Sequence, residues 1–223
     1  MKSKSKIKEK ISQKTAEILL NIGAINFNTK KPFKLTSGKL SPVYCDCRKI
    51  ISFPGERMNL INYSITLLKE KSYFNSLDNI SGGETAGIPF AAFISYKLKL
   101  PMTYIRKKSK EFGRKEKIEG VLRNGQKVVL VEDLITDGGS KWGFIESLTE
   151  KKTIIKAILV IFNYGVFTNK LQFKNKNIDL IHLTDWKHIL EVAMLKKKIK
   201  EKDLKIIVRF LEDIGVKNLK FFQ

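Results

Sequence analysis

The sequence predicts an α/β protein built on a parallel sheet flanked by helices, and three observations carry that reading. Short β-branched runs, Val128 to Val131 and Ile154 to Phe162, have the near-continuous apolar character of strands buried on both faces. Segments with helical spacing alternate with them, and such alternation indicates a parallel α/β sheet. The composition, 43% hydrophobic and 10% aromatic over 223 residues, can bury a sizeable core and excludes wholesale disorder. The length fits one large domain, or one domain with a small appendage.

Apolar residues at 7, 11, 18, 19 and 22 predict a first helix over Ile7 to Ile22, stopped by Gly23. Ala24 to Asp46 is punctuated by Lys31-Pro32, Ser37-Gly38 and Ser41-Pro42 and reads as short strands and loops. Pro54 opens a second helix through Leu68, since proline suits a first helical turn. A short apolar segment ending at Ile80 runs into Gly82-Gly83, and a third helix spans Ile88 to Leu98. Met102 to Ile105 reads as a strand, and Asn124-Gly125 as a turn before the strand Val128 to Val131. A helix over Ser140 to Leu148 precedes the strand Ile154 to Phe162. A last strand at Ile178 to His182 is followed by helices over Asp185 to Lys196 and Lys202 to Ile214, the latter stopped by Gly215. Trp142 and Trp186 read as packing residues.

Charge and cysteine content narrow the function classes. The formal charge is +21, but 37 of the 43 basic residues are lysine and six are arginine. A lysine surplus beside much Ile, Asn and Phe reads first as solvated surface and codon bias; recognition of phosphate geometry favours the arginine fork. Attraction of small anionic substrates is the second reading and nucleic-acid binding the third, so no specific nucleic-acid partner is expected. Two cysteines, Cys45 and Cys47, exclude a disulfide framework and fit a reducing compartment. They stand at i and i+2 on one face of a possible strand with Asp46 opposite, and core packing is the plain reading. The two histidines, His182 and His188, fall in different elements and suggest no catalytic or metal role. No apolar run approaches the roughly 18 residues of a membrane helix. The basic start, MKSKSKIKEKIS, lacks the apolar region of a secretory signal. The expectation is a soluble cytoplasmic protein with no membrane partner.

Chemistry concentrates in VVLVEDLITDGGSK, Val128 to Lys141: a buried strand, an acidic pair, and a short loop into a helix. In a parallel sheet such a loop lies at the carboxyl end of a strand, where ligands bind. Thr136 to Ser140 supplies successive backbone N–H groups at a helix start, a phosphate cradle by geometry and dipole. Gly138 and Gly139 allow the backbone to approach an anion, and Asp137 should turn its side chain away. Glu132 and Asp133 offer the oxygen acceptors that sugar hydroxyls, or Mg²⁺ bridged to them, require. The usual nucleotide fingerprints, GxxxxGK[ST] and GxGxxG, are absent. Between Arg106 and Lys117 lie seven basic and two acidic residues, which alone would read as a solvated loop.

An apolar strand, an acidic pair and T-x-G-G-S resembles the phosphoribosyl diphosphate (PRPP) motif of type I phosphoribosyltransferases. PFKLTSGKLSPVYCDCRK, Pro32 to Lys49, resembles the N-terminal base-binding segment of orotate phosphoribosyltransferases. GGETAGIPFA, Gly82 to Ala91, resembles their pyrophosphate-contacting loop, and YIRKKSKEFGRKEKIEG, Tyr104 to Gly120, their mobile catalytic loop. With the tail around HLTDWKHIL the resemblance covers nearly the whole chain, in the family's order.

The resemblance implies a type I phosphoribosyltransferase-like parallel sheet with a small hood from the N-terminal segment. It divides the chain into a helix and hood over 1–50, a PRPP-binding core over 51–165 and C-terminal elements over 166–223. It implies transfer of ribose 5-phosphate from PRPP to N1 of orotate in pyrimidine biosynthesis, with Mg²⁺ required and a homodimer sharing its active sites. Lys110, Asp133 and Glu132 take the catalytic positions, and Asp133 the metal. PRPP falls to Arg106, Lys107, Lys110, Glu84, Thr85, Glu132, Asp133, Leu134, Ile135, Thr136, Asp137, Gly138, Gly139 and Ser140; orotate falls to Tyr44, Thr36, Thr136 and Tyr164. Departures concern the base and pyrophosphate positions. Some members carry Lys at Thr36, Tyr-Lys at Thr85-Ala86, His at Phe112 and Arg near Tyr164. A transferase for another base is the alternative within the class, and a non-catalytic PRPP-fold RNA-binding regulator the alternative outside it.

Overall fold

The computed structural model describes residues 2–35, 38–108, 117–136, 139–166, 177–217 and 219. α1 (Lys2–Asn21) leads into four short strands: β1 (Ile25–Phe27), β2 (Phe33–Lys34), β3 (Leu40–Ser41) and β4 (Val43–Cys45). They pair as two antiparallel two-stranded ribbons, β1 with β4 and β2 with β3. A 3-10 turn (Cys47–Ser52) and α2 (Pro54–Lys69) follow. The remaining elements are β5 (Asn79–Gly83), α3 (Gly87–Leu98), β6 (Met102–Ile105), β7 (Ile118–Glu119), β8 (Lys127–Ile135), α4 (Gly139–Glu150), β9 (Ile154–Asn163), β10 (Asp179–Asp185), α5 (Trp186–Leu195) and α6 (Glu201–Asp213).

The main sheet has six strands in the order β10-β9-β8-β5-β6-β7, parallel except for the β6–β7 edge pair. Both faces are covered, as apolar runs without polar alternation demand. On β8, Val129 and Val131 join the larger core with α1, α2, α3, α5 and α6, while Val128 and Leu130 pack against Phe144, Ile145 and Leu148 of α4. Inside the sheet the Thr103 hydroxyl donates to Asn79 Oδ1 at 2.9 Å and lies 2.5 Å from Ser81 Oγ, tying β5 to β6 through buried polar side chains.

The strand and helix expectations hold in kind, with three differences that matter. β8 runs past Val131 to Ile135, because β9 continues the ladder to Leu134↔Phe162 and Ile135↔Asn163. The acidic pair therefore lies within a strand rather than beyond it. Gly82 and Gly83 are strand residues, paired with Tyr104 and Ile105. The strand carrying the cysteines ends at Cys45; Asp46 caps the 3-10 turn by accepting from Arg48 N–H. The thiols still face each other, Sγ to Sγ 3.6 Å.

The two histidines converge on one carboxylate. Asp185 caps α5 by accepting from His188 N–H, lies 2.6 Å from His188 Nδ1, and its other oxygen is 3.6 Å from His182 Nε2. His188 Nε2 reaches Glu9 of α1 at 3.2 Å, so the network clamps the first helix to the fifth. Burial pulls His188 down, but Asp185 and Glu9 outweigh it and its pKa rises. A histidine raised in this way stabilises the fold fully below its unfolded pKa, and that contribution fades as pH rises through the folded value. Asp185→Ala should cost about 2 kcal/mol, roughly 4–8 °C in melting temperature for a chain of this length. Thermal unfolding across pH checks it, with the deficit narrowing on the alkaline side.

Among the described residues no helix is long and apolar enough to cross a membrane.

Candidate active site

β5 and β8 are neighbours whose onward connections leave in opposite directions: β5 runs through α3 to β6 on one side, β8 through α4 to β9 on the other. Such a divergence opens a crevice at the carboxyl ends of the two strands. β5 pairs with β8 only as far as Gly82↔Val131, so Glu132 to Ile135 leave one edge open towards the β5–α3 turn. There a cleft of about 300 Å³ is lined by Glu84, Thr85, Ala86, Lys107, Glu132, Asp133, Leu134 and Lys141, with Cys45 from the end of β4 and Asp46 and Arg48 from the start of the 3-10 turn.

Strand alternation sends the two carboxylates to opposite faces of β8. Glu132 points to the α4 side, where Lys141 Nζ donates to its Oε2. Its Oε1 is buried and has no hydrogen-bond partner among the described residues. Room for it exists only because Gly83 and Gly87 lack side chains: a Cβ on Gly83 would stand 1.9 Å from Oε1, and one on Gly87 2.9 Å from it. Asp133 points to the other face, towards Arg48 and the buried Cys47. The turn above is fastened by Lys107 N–H, which donates to Glu84 Oε2 at 2.7 Å.

Burial dominates the electrostatics of the acidic pair. It pushes Glu132 up to about 7 despite Lys141, with Asp133 adding to the rise and Lys107 opposing it. Asp133 is also raised by burial, against the pull of Lys141, backbone N–H groups and Arg48. Arg48 grips Asp46 with two hydrogen bonds, 2.6 and 3.0 Å. That pair holds Asp46 below the ordinary carboxylate range. The Cys47 thiol is pushed up by its hydrogen bond to Cys45 and by complete burial.

The cleft brings together Glu84, Thr85, Lys107, Glu132, Asp133 and Leu134 of the expected set. Thr136 is exposed just beyond β8, whereas Ile135 turns its side chain into the core beneath. Arg106 lies 3.6 Å from Glu119 of β7 and does not line the cleft. Tyr44 is half-buried beside Phe33, ring centroids 5.6 Å apart. Tyr164 sits edge-to-face between Phe162 and Trp186, at 5.3 and 5.2 Å, and does not line the cleft either. Burial lifts its phenol well above the ordinary value, with Cys45, Cys47 and Tyr44 adding to the rise. Thr36, Lys110, Asp137 and Gly138 lie outside the described residues; Gly139 and Ser140 open α4.

Three lining residues were not singled out in the sequence. Lys141 follows the glycine loop directly, and a lysine in a helix's first turn opposes the macrodipole, which is a signal of a nearby anion. Asp46 and Arg48 carry no such mark, because their place depends on the 3-10 turn. The carboxylate oxygens that line the cleft are the donor set of a hard cation such as Mg²⁺.

The phosphoribosyl transferase domain model matches residues 58–197. The chain is 43% identical over 206 residues to an orotate phosphoribosyltransferase of Ruegeria sp. (strain TM1040), covering 92% of this chain and 91% of that protein. It is 47% identical over 188 residues to one of Cereibacter sphaeroides (strain ATCC 17029), covering 83% and 81%. The crystal structure of orotate phosphoribosyltransferase from Aeropyrum pernix superposes with a TM-score of 0.67 at 27% identity, covering 81% of this chain and 98% of that one.

Proposed function

The chain belongs to the orotate phosphoribosyltransferase family, and from that premise we propose that it transfers ribose 5-phosphate from PRPP to orotate, giving orotidine 5′-monophosphate and pyrophosphate in pyrimidine biosynthesis. The observation that carries the reading is the cleft between β5 and β8, which gathers Glu132, Asp133, Lys107 and the Glu84–Ala86 turn at one crevice. In this reading residues 1–50 form the base-side hood, 51–165 the PRPP core and 166–223 the elements that back it.

The reaction breaks the bond from ribose C1 to the pyrophosphate oxygen and forms one to orotate N1. Positive charge grows at the ribosyl centre and negative charge on pyrophosphate. Asp133 and Glu132 accept hydrogen bonds from the ribose hydroxyls and hold the ring. The backbone N–H groups of Thr136 to Ser140 take the 5′-phosphate at the start of α4. Lys107, Arg106 and Lys110 set positive charge against the leaving group, where preorganised electrostatics weigh most in the transition state. Mg²⁺, held by Asp133, would add positive charge against the diphosphate when bound. Tyr44, Thr36, Thr136 and Tyr164 are the residues proposed for the orotate side.

Purified protein should consume orotate only when PRPP and Mg²⁺ are both present, with uracil, hypoxanthine and adenine as controls. Turnover of a purine base equal to that of orotate would leave the PRPP reading standing and refute the base assignment. For Lys110 the proposal is that it completes the active site of the other subunit of a homodimer. Lys110→Ala should then lower kcat by about 10² with melting temperature unchanged. Mixing it with Asp133→Asn protein should recover part of the activity, because one site of a mixed dimer has both residues. Subunit exchange without recovery would mean that each subunit completes its own site.

A further inference from the structure

Lys141 stands in the first turn of α4, with its side chain only 10% exposed. Both facts run against its charge. A helix N-terminus carries partial positive charge and disfavours a cation, and a buried ammonium is costly unless an anion meets it. As packing alone, a methionine would serve the position better. What compensates is Glu132, whose Oε2 accepts from Lys141 Nζ. The other oxygen, Oε1, is left buried against Gly83 and Gly87 with no hydrogen-bond partner among the described residues. Lys141 and Glu132 line the same cleft as Glu84, Thr85 and Lys107.

We propose that Lys141 is a positioning residue of the transfer reaction: it takes one oxygen of Glu132 and fixes the carboxylate beneath the β5–α3 turn, in the place from which it meets the ribose of PRPP. The proposal rests on the phosphoribosyl-transfer reading. It accounts for two features together: the charge at the wrong end of a helix, and the two glycines that make room for the carboxylate.

The test is a double-mutant cycle on kcat/KM for PRPP with Lys141→Met, Glu132→Gln and the two combined. Lys141→Met should lower kcat/KM for PRPP by about 10²-fold, the scale of a misplaced catalytic group, with KM for orotate unchanged. The combined variant should be no worse than the poorer single variant, because Lys141 acts through Glu132. The combined variant also replaces the ion pair by a neutral one, so it separates a folding defect from a catalytic one. Losses that multiply would overturn the proposal and give Lys141 a contact of its own with substrate. Wild-type kinetics in Lys141→Met would overturn it equally. A wild-type protein that does not turn over orotate with PRPP would bring down the functional reading and this proposal together; multiplied losses in an active enzyme bring down the proposal alone.

Discussion

Asp133→Asn should lower orotate turnover by about 10³-fold, within the range for removing a catalytic carboxylate, and at the same time raise the melting temperature. The two effects share a cause. Asp133 is buried and its pKa is raised by that burial, so the ionised carboxylate costs stability in the empty protein. The same carboxylate is what ribose hydroxyls and a hard cation require. A carboxyl group raised on folding contributes stability at low pH and loses it as pH climbs towards the folded pKa. The thermal advantage of Asp133→Asn over wild type should therefore be small near about pH 4 and grow towards about pH 8. Glu132 follows the same sign. Its rise from 4.5 to about 7 corresponds to about 3 kcal/mol lost between those limits. Melting curves across this window, alongside kcat at saturating PRPP, check both halves. An Asp133→Asn protein with wild-type kinetics would reduce the acidic pair to an ordinary strand end.

The legibility of this site in the sequence follows from distance along the chain. Val128 to Ser140 could be read directly because strand, acidic pair and glycine loop are contiguous, and each residue type has a local physical reason. β7 could not: two residues, Ile118 and Glu119, are a strand only because Tyr104 and Ile105 stand opposite them. The strand character of Gly82 and Gly83 was hidden for the opposite reason. Glycine weakens a strand taken alone, and only the packed Ile88 and Glu132 explain why nothing larger fits. The ion pair from Lys141 to Glu132 spans nine positions around a turn, and no periodicity marks it. The aromatic triad of Tyr164 with Phe162 and Trp186 has no local mark either; the register of β9 and the start of α5 decide it. Likewise the convergence of His182 and His188 on Asp185 depends on β10 extending to Asp185, three residues beyond the apolar run that announced it.

Gly83→Ala should abolish most activity, and comparison with Gly87→Ala isolates the reason. A Cβ at Gly83 would meet Glu132 Oε1 at 1.9 Å, Phe144 Cε2 at 2.6 Å and Glu132 Cδ at 2.8 Å. The nearest obstacle is the end of a side chain, so the fold can yield by expelling the Glu132 carboxylate from its place beneath the turn. That removes a proposed ribose acceptor, takes Glu132 away from Lys141 and presses on Phe144 of the α4 core. The expected result is a fall in kcat/KM for PRPP of about 10³-fold, displacement adding to the loss of the carboxylate, with a stability loss of about 2 kcal/mol from overpacking. At Gly87 the obstacle is the Val131 carbonyl oxygen at 2.2 Å, backbone of a central strand that cannot step aside. Gly87→Ala must push α3 off the sheet, so its main effect should be on folding: about 3 kcal/mol or more, seen as a melting temperature lowered by roughly 6–12 °C. Chemical denaturation and PRPP kinetics on the two variants separate the outcomes. If Gly83→Ala retained wild-type kcat/KM, Glu132 would not need its present position, and the acidic pair would act through Asp133 alone.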